Sequence, residues 1–153
     1  MSKQEDAHKR AVEDYSQFSQ YARSCAQFAF GANGGAAAAL LSFSTSIVKM
    51  PLDDNTKLII KGFSFASSFY LFGVLISLFS MYLFAVAKKK WGDAWDDASS
   101  QSGSIDYDGT DARGAHRLEK AAWSVLFVTA IAFAVGSGFA VSGFFRLIGL
   151  LPR

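Results

Sequence analysis

Three stretches of this chain contain no charged residue, and their lengths constrain the fold more than any motif does. They cover residues 24–48, 62–87 and 121–145, and each is bounded at both ends by a lysine or an arginine. A helix needs about 20 apolar residues to cross the hydrocarbon core of a bilayer, which is about 30 Å thick. Each stretch exceeds that length. The sequence therefore predicts an all-α integral membrane protein with three transmembrane helices.

The segments between these stretches predict short connections and one further helix. Near the N-terminus, Ala11, Tyr15 and Phe18 recur at steps of four and three, which is the period of an amphipathic helix. No proline interrupts the chain before residue 51, so this helix either continues into the first span or lies separately at the membrane surface. The predicted order is a cytoplasmic helix at 1–23, a spanning helix at 24–48, a short external loop at 49–61, a spanning helix at 62–87, a cytoplasmic loop and the start of the next helix at 88–120, a spanning helix at 121–145 and an external tail at 146–153.

Small side chains follow one face of the first and of the third predicted span. In the first they are Gly31, Gly35, Ala38 and Ser42, and in the third they are Ala132, Gly136, Ala140 and Gly143. Small residues at this spacing let two helix backbones approach closely in lipid, where van der Waals packing holds helices together. We therefore expect these two faces to pack against each other, with the first helix at the buried centre of a three-helix bundle.

Asn33 is the one strongly polar side chain deep in the first span. Helical geometry places it with Ala37 and Leu40, on the side away from the glycine face. An unpaired carboxamide in hydrocarbon costs several kcal/mol, so we expect it to find a partner. The structural interpretations are an interhelical hydrogen bond or a local kink at Asn33-Gly34-Gly35. The functional interpretation, a contact with a pore or a ligand, is less favoured.

The residues from Asn33 to Phe43 also point to a family. They read Asn-Gly-Gly, four alanines, Leu-Leu, Ser and Phe. Together with the three-span layout, this run resembles a group of small bacterial membrane proteins of unknown function that share an NGGAA-x-ALL-like first helix. The resemblance implies a location in the bacterial inner, or cytoplasmic, membrane and implies no activity.

The basic residues predict the orientation. Of the 15 lysines and arginines, ten lie before the first span or between the second and third, and five lie in the other loop and the tail. Because loops rich in basic residues stay in the cytoplasm, we expect the N-terminus and residues 88–120 there, with residues 49–61 and the C-terminus outside. The formal net charge of +2 argues against nucleic acid as the main partner.

The polar segment 88–120 holds patterns that resemble functional sites without matching any. Three lysines and a tryptophan at 88–91 are expected to end the second helix, and Asp111 to cap the third. Residues 106–111 resemble a calcium loop but lack the closing glutamate of an EF-hand. His116 is expected to pair locally with Glu119, because a second pair of zinc ligands is missing. The sequence predicts no metal site, no cofactor and no catalytic residue.

These features favour a structural or interaction protein without enzymatic activity. It would lie in the lipid bilayer and associate with itself or with another membrane protein through its small-residue faces. The alternative is an oligomeric pore-forming protein, holin-like or a toxic effector, in which Asn33, the serines and the glycines line a channel. A third hypothesis is a lipid or small-molecule binder between the helices. Proton relays and voltage sensors are disfavoured, because the three stretches contain no ionisable carboxylate or base.

Overall fold

The computed structural model describes residues 3–49, 53–101 and 109–149, and within those residues the chain is helical apart from its turns. Three long helices follow one another: α1 covers Lys3–Ile47, α2 covers Asp54–Gln101 and α3 covers Thr110–Leu147. The predicted all-α class is therefore confirmed.

Helix α1 continues through Asn33-Gly34-Gly35, so the N-terminal helix and the first predicted span are one element and the chain makes no turn there.

Hydrogen bonds at the helix starts show where α2 and α3 begin. Asp53 caps α2, because its Oδ1 accepts a hydrogen bond from the backbone N of Thr56 at 2.7 Å. At the start of α3 the carbonyl oxygen of Gly109 accepts a hydrogen bond from Arg113 N at 3.1 Å. The prediction that Asp111 caps α3 is wrong. Asp111 lies inside the first turn, where its negative charge suits the positive end of the helix.

Helix α2 extends beyond the point where the second span was expected to end. The prediction that residues 88–91 terminate it is wrong, since the helix continues to Gln101. This segment contains no proline, and Gly92 costs only about 1 kcal/mol inside a helix. The ring of Trp91 also packs against Tyr15 of α1, with centroids 5.5 Å apart, which supports the helical conformation. The serines at 102 and 104 and the aspartates at 106 and 108 lie outside the described residues.

The three helices form two compact units, each containing a segment of every helix. Unit 1 comprises Met1–Gln27 and Phe79–Ser124, and unit 2 comprises Phe28–Leu78 and Val125–Arg153. The core of unit 1 is built from alanine, and its buried apolar positions include Ala22, Ala26, Ala87, Ala112, Ala115 and Ala122. Because alanine projects only a methyl group, the helix backbones within this unit can approach closely.

Unit 2 has a core of larger side chains. Its buried members are Ala37, Leu40, Ile47, Ile59, Phe63, Ala66, Tyr70 and Ala140. Phe43 of α1 packs edge-on against Phe63 of α2, with centroids 5.7 Å apart, and both rings contact Phe144 of α3.

The contacts between α1 and α2 show the relative direction of these helices. Phe43 meets Phe63, and further along Gly34 of α1 faces Val74 of α2. Residue numbers therefore rise along α1 as they fall along α2, so these helices are antiparallel neighbours, as their short connection predicts.

Large apolar side chains cover much of the exterior of α2 and α3. By length and composition, Asp54–Trp95 and Thr110–Leu147 could each cross a membrane, and only 28% of the apolar window of each is buried. Helix α1 does not meet the same requirement among the described residues. Its uncharged stretch combines Asn33 and Gln27 with several glycines and serines, which lower its hydropathy. Two of the three predicted spans thus have the required length and composition, and the first has the length but not the hydropathy.

Candidate functional site

Asn33 is buried in unit 2. Its side chain is 1% exposed. The Nδ2 atom donates a hydrogen bond at 2.9 Å to the backbone oxygen of Ala29 in the same helix, whereas Oδ1 has no partner among the described residues. The structure therefore shows a bond within α1 in place of the expected bond between helices. A buried acceptor without a partner is destabilising, so the hydrogen bond from Nδ2 and the packing around the side chain must hold the carboxamide in this position.

Gly73 of α2 provides the space in which the Asn33 side chain lies. A Cβ atom at position 73 would lie 2.6 Å from Asn33 Cγ and 3.0 Å from Nδ2, which is too close for an ordinary contact. The α2 backbone therefore packs directly on the carboxamide. The role of Gly73 was not predicted from the sequence. Its signal was that it is the one small residue between Leu71 and Ile76, in a stretch of otherwise bulky side chains.

Three of the other buried polar side chains bind backbone carbonyls. Ser77 Oγ donates to the carbonyl of Gly73 at 2.8 Å, and Thr129 Oγ1 donates to the carbonyl four residues before it at 3.3 Å. Ser80, which is buried in unit 1, donates to the carbonyl of Ala122 in α3 at 3.0 Å. These hydroxyl groups are engaged in holding their own helix or its neighbour, which is the usual role of serine and threonine in apolar helices.

The small-residue face of α1 points away from the other residues that the structure describes. Gly31, Gly35, Ala38 and Ser42 are all exposed, and a Cβ atom added at either glycine would have nothing within 4 Å. The expectation that α1 is the buried centre of the bundle, covered on this face, is wrong within the described chain. The buried side of α1 is the opposite one, which carries Asn33.

The small-residue face of α3 packs against α2. Its members Ala132, Gly136, Ala140 and Gly143 are all buried. A Cβ atom at position 136 would lie 2.9 Å from Cε1 of Tyr70, and one at position 143 would lie 2.7 Å from Cε1 of Phe63. Gly136 and Gly143 of α3 therefore receive the aromatic rings of α2. The expected pairing between the two small-residue faces does not occur within the chain, because these rings occupy the α3 face.

A partly buried tyrosine makes a polar contact between α1 and α3 in unit 1. The hydroxyl of Tyr15 in α1 donates a hydrogen bond to Glu119 Oε1 in α3 at 2.9 Å. Burial raises the pKa of Tyr15 well above its ordinary value, and the hydrogen bond to Glu119 and the negative charge of that carboxylate raise it further. Glu119 therefore pairs with Tyr15. The expected pair between Glu119 and His116 does not form among the described residues, and His116 is exposed.

The described residues contain no group of three or more histidine, cysteine, aspartate or glutamate side chains that could hold a metal ion. Comparison with protein-family models, with curated proteins and with solved structures gives no match. The resemblance to small three-span bacterial proteins therefore stays a prediction.

Proposed function

We propose that this protein is a small integral protein of the bacterial inner membrane that acts as a non-catalytic interaction module and associates with a second copy of itself. In this proposal α2 and α3 cross the bilayer as apolar spans and α1 crosses beside them despite its lower hydropathy, with the N-terminus in the cytoplasm and the C-terminus outside. The copies meet through the α1 glycine face, formed by Gly31, Gly35, Ala38 and Ser42. The proposal depends on one observation above all, that this face is exposed and has open space beside both glycines.

The distribution of large and polar side chains supports insertion into lipid. Large apolar side chains lie on the exterior, where Phe28 is 78% exposed, Phe127 is 68% exposed and Leu75 is 66% exposed. Buried positions are instead often occupied by alanine or by polar side chains such as Ser77 and Asn33. Water-soluble proteins rarely expose large contiguous apolar patches, because water disfavours that surface. The same exterior is suited to contact with hydrocarbon.

Helix α1 supports the proposal in a different way. Its glycine face presents little apolar area. Contact with lipid therefore stabilises this face less than it would stabilise a face of leucine or phenylalanine. The same lack of side chains lets a second helix approach closely, which strengthens van der Waals packing. Contact with a second copy therefore stabilises this face in a way that lipid does not.

The alternative of an oligomeric pore receives less support. A channel between copies would need polar side chains that face outward from each chain. Asn33, Ser77 and Thr129 are each at most 1% exposed, and the two hydroxyls are bonded to backbone carbonyls. Asn33, Ser77 and Thr129 therefore cannot line a lumen between copies without a rearrangement of the helices. Among the serines, Ser42, Ser64 and Ser68 do face outward, and Ser68 donates its hydroxyl to a carbonyl of its own helix.

The variant Gly31→Leu/Gly35→Leu tests the association. The added Cβ atoms meet nothing in the same chain, so we expect the variant to fold and insert like the wild type. Gly138→Leu is a matched control, because Gly138 of α3 is also exposed with nothing within 4 Å of an added Cβ. The measurement is Förster transfer between labelled copies reconstituted into lipid vesicles at a series of protein-to-lipid ratios.

We expect the wild type and Gly138→Leu to show transfer above random proximity, and the double variant to fall to the random level. Equal transfer in all three proteins would overturn the α1 interface. Random transfer in the wild type, combined with crosslinking in cells to a different membrane protein, would assign the face to another partner. Recovery of the protein in the aqueous fraction after vesicle flotation would refute the membrane placement.

A further inference from the structure

A cleft in unit 1 lies between α1 and α2 and has a volume of about 420 Å³. This is within the size range of small-molecule sites. Arg23 of α1 and Lys88 of α2 both line it. Ser19 and Gln20 add polar groups on the α1 side, and no aspartate or glutamate lines the cleft. The lining is therefore positively charged and rich in hydrogen-bond donors.

The two cations of this cleft lack a counter-charge. Neither Arg23 nor Lys88 forms an ion pair with any residue that the structure describes, whereas the nearby Lys90 is neutralised by Asp111 at 2.9 Å. Two unneutralised positive charges that line one cleft repel each other and attract an anion. The cleft thus favours a negatively charged ligand.

Arg23 and Lys88 also mark the points where charged segments meet uncharged ones. Arg23 immediately precedes the uncharged stretch 24–48, and Lys88 immediately follows the uncharged stretch 62–87. In a membrane-inserted chain, basic residues at such boundaries lie at the level of the lipid headgroups. Met81 and Phe84, which line the same cleft, belong to the uncharged stretch. The cleft therefore has a cationic end, formed by Arg23 and Lys88, next to an apolar wall formed by Met81 and Phe84.

We propose that this cleft binds the headgroup phosphate of an anionic phospholipid from the cytoplasmic leaflet, an inference that rests on the membrane placement proposed above. Arg23 and Lys88 bind the phosphate, and an acyl chain lies along Met81 and Phe84. The arginine fork matches two phosphate oxygens, and the lysine adds a compact charge. Basic pockets between membrane helices on the cytoplasmic side are suited to such headgroups.

Native mass spectrometry of the full-length protein, released from nanodiscs that contain equal amounts of phosphatidylcholine and phosphatidylglycerol, tests the site. The measured quantity is the ratio of the two lipids that stay bound. Two basic groups at the membrane surface favour an anionic lipid by roughly tenfold or more, which is the preference expected for the wild type. We expect Arg23→Gln/Lys88→Gln to bring the ratio close to one.

A charge-matched control separates the cleft from the general surface charge. Lys89→Gln/Arg117→Gln removes the same two charges from exposed side chains of unit 1 that do not line the cleft. We expect this variant to keep the preference of the wild type. Arg23 and Lys88 are themselves exposed, so the cleft variant should fold, and its thermal midpoint in pure phosphatidylcholine serves to check this.

A second arm distinguishes a lipid from free phosphate. In phosphatidylcholine nanodiscs, we expect phosphatidylglycerol to raise the thermal unfolding midpoint of the wild type, because a ligand that binds the folded state stabilises it. Inorganic phosphate at the same concentration should not do so. Equal stabilisation by inorganic phosphate, a lipid ratio near one for the wild type, or equal losses in the cleft and control variants would each overturn the lipid site. Failure of the protein to enter nanodiscs at all would instead refute the proposed membrane function, and the lipid site with it.

Discussion

The carboxamide of Asn33 lies in space that exists only because Gly73 has no side chain. Asn33 belongs to α1 and Gly73 to α2, so this pair limits how closely the two helices approach within unit 2. The relationship is steric, because the hydrogen bond of Nδ2 goes to Ala29 in the same helix. Oδ1 stays without a partner among the described residues, so the contact specifies the helix register without contributing a bond.

The substitution Gly73→Ala should destabilise the fold. The added Cβ would lie 2.6 Å from Asn33 Cγ, so either the carboxamide must change rotamer or the backbones must separate. Overpacking of this kind costs about 1–3 kcal/mol. The free energy of unfolding, measured by titration with a denaturing detergent in mixed micelles, should fall by an amount in that range.

A matched glycine and a double-mutant cycle separate this effect from helix propensity. Gly138→Ala adds the same methyl group in open space, so we expect it to be neutral or to stabilise by up to about 1 kcal/mol. Gly73→Ala should be less harmful in an Asn33→Ala background, with a coupling energy of about 0.5–3 kcal/mol. Additive effects of the two substitutions would show that they do not compete for one space.

The sequence predicts the helical class because uncharged stretches and helical periods are local patterns. It does not predict what covers a face. The spacing of Gly31 and Gly35 identifies a small-residue face. A helix of the same chain and a helix of another chain can pack on such a face equally well. In the structure Gly136 and Gly143 of α3 are covered by Tyr70 and Phe63, so the α1 face is left open. The rings on α2 pack on the α3 face in place of α1. This choice of partner depends on tertiary packing, which no local sequence pattern shows.

The length of α2 shows a second limit of sequence reasoning. A run of lysines identifies the headgroup level, but a helix can continue past that level into water. Trp91 contacts Tyr15, which is distant in sequence, and this contact helps α2 to continue. The role of Gly73 was missed for a similar reason, because it depends on the register between α1 and α2.

Tyr70 should contribute stability through its hydroxyl as well as its ring. The hydroxyl shares a hydrogen bond of 2.9 Å with Ser137 Oγ, and the ring lies over Gly136. Tyr70→Phe keeps the ring and removes the bond, so we expect a loss of about 0.5–1 kcal/mol, which is typical between membrane helices. Ser137→Ala should cost a similar amount. The double variant should cost little more than either single one, and fully additive losses in detergent unfolding would rule out a shared bond.

The orientation of the chain can be measured with single cysteines in a Cys25→Ser background. Lys57→Cys lies on the side predicted to be external, and Lys9→Cys lies on the side predicted to be cytoplasmic; both positions are exposed. In spheroplasts, we expect a membrane-impermeant maleimide to label Lys57→Cys directly and Lys9→Cys only after lysis. Arg117→Cys should behave like Lys9→Cys. The reverse pattern would invert the topology, and equal labelling of all three before lysis would argue against a fixed orientation.

The contact between Tyr15 and Glu119 should make stability depend on alkaline pH. Burial and the neighbouring carboxylate raise the pKa of Tyr15 in the folded state above the unfolded value of 10.0. Above that unfolded value the unfolded chain releases the tyrosine proton while the folded chain still binds it, so the free energy of unfolding falls as pH rises. Below it both states are protonated, and the contribution of the contact is fully present.

Comparison with Tyr15→Phe isolates this dependence from the titration of lysines, which occurs in the same range. The phenylalanine variant lacks the ionisable group, so its stability should fall less steeply between pH 10 and 11 than that of the wild type. Glu119→Gln should give an intermediate slope, because it removes the carboxylate charge and leaves the burial of the ring. Thermal midpoints recorded in half-unit steps of pH supply the slopes. Parallel curves for the wild type and Tyr15→Phe would mean that Tyr15 ionises equally in both states, and would contradict the buried hydrogen bond to Glu119.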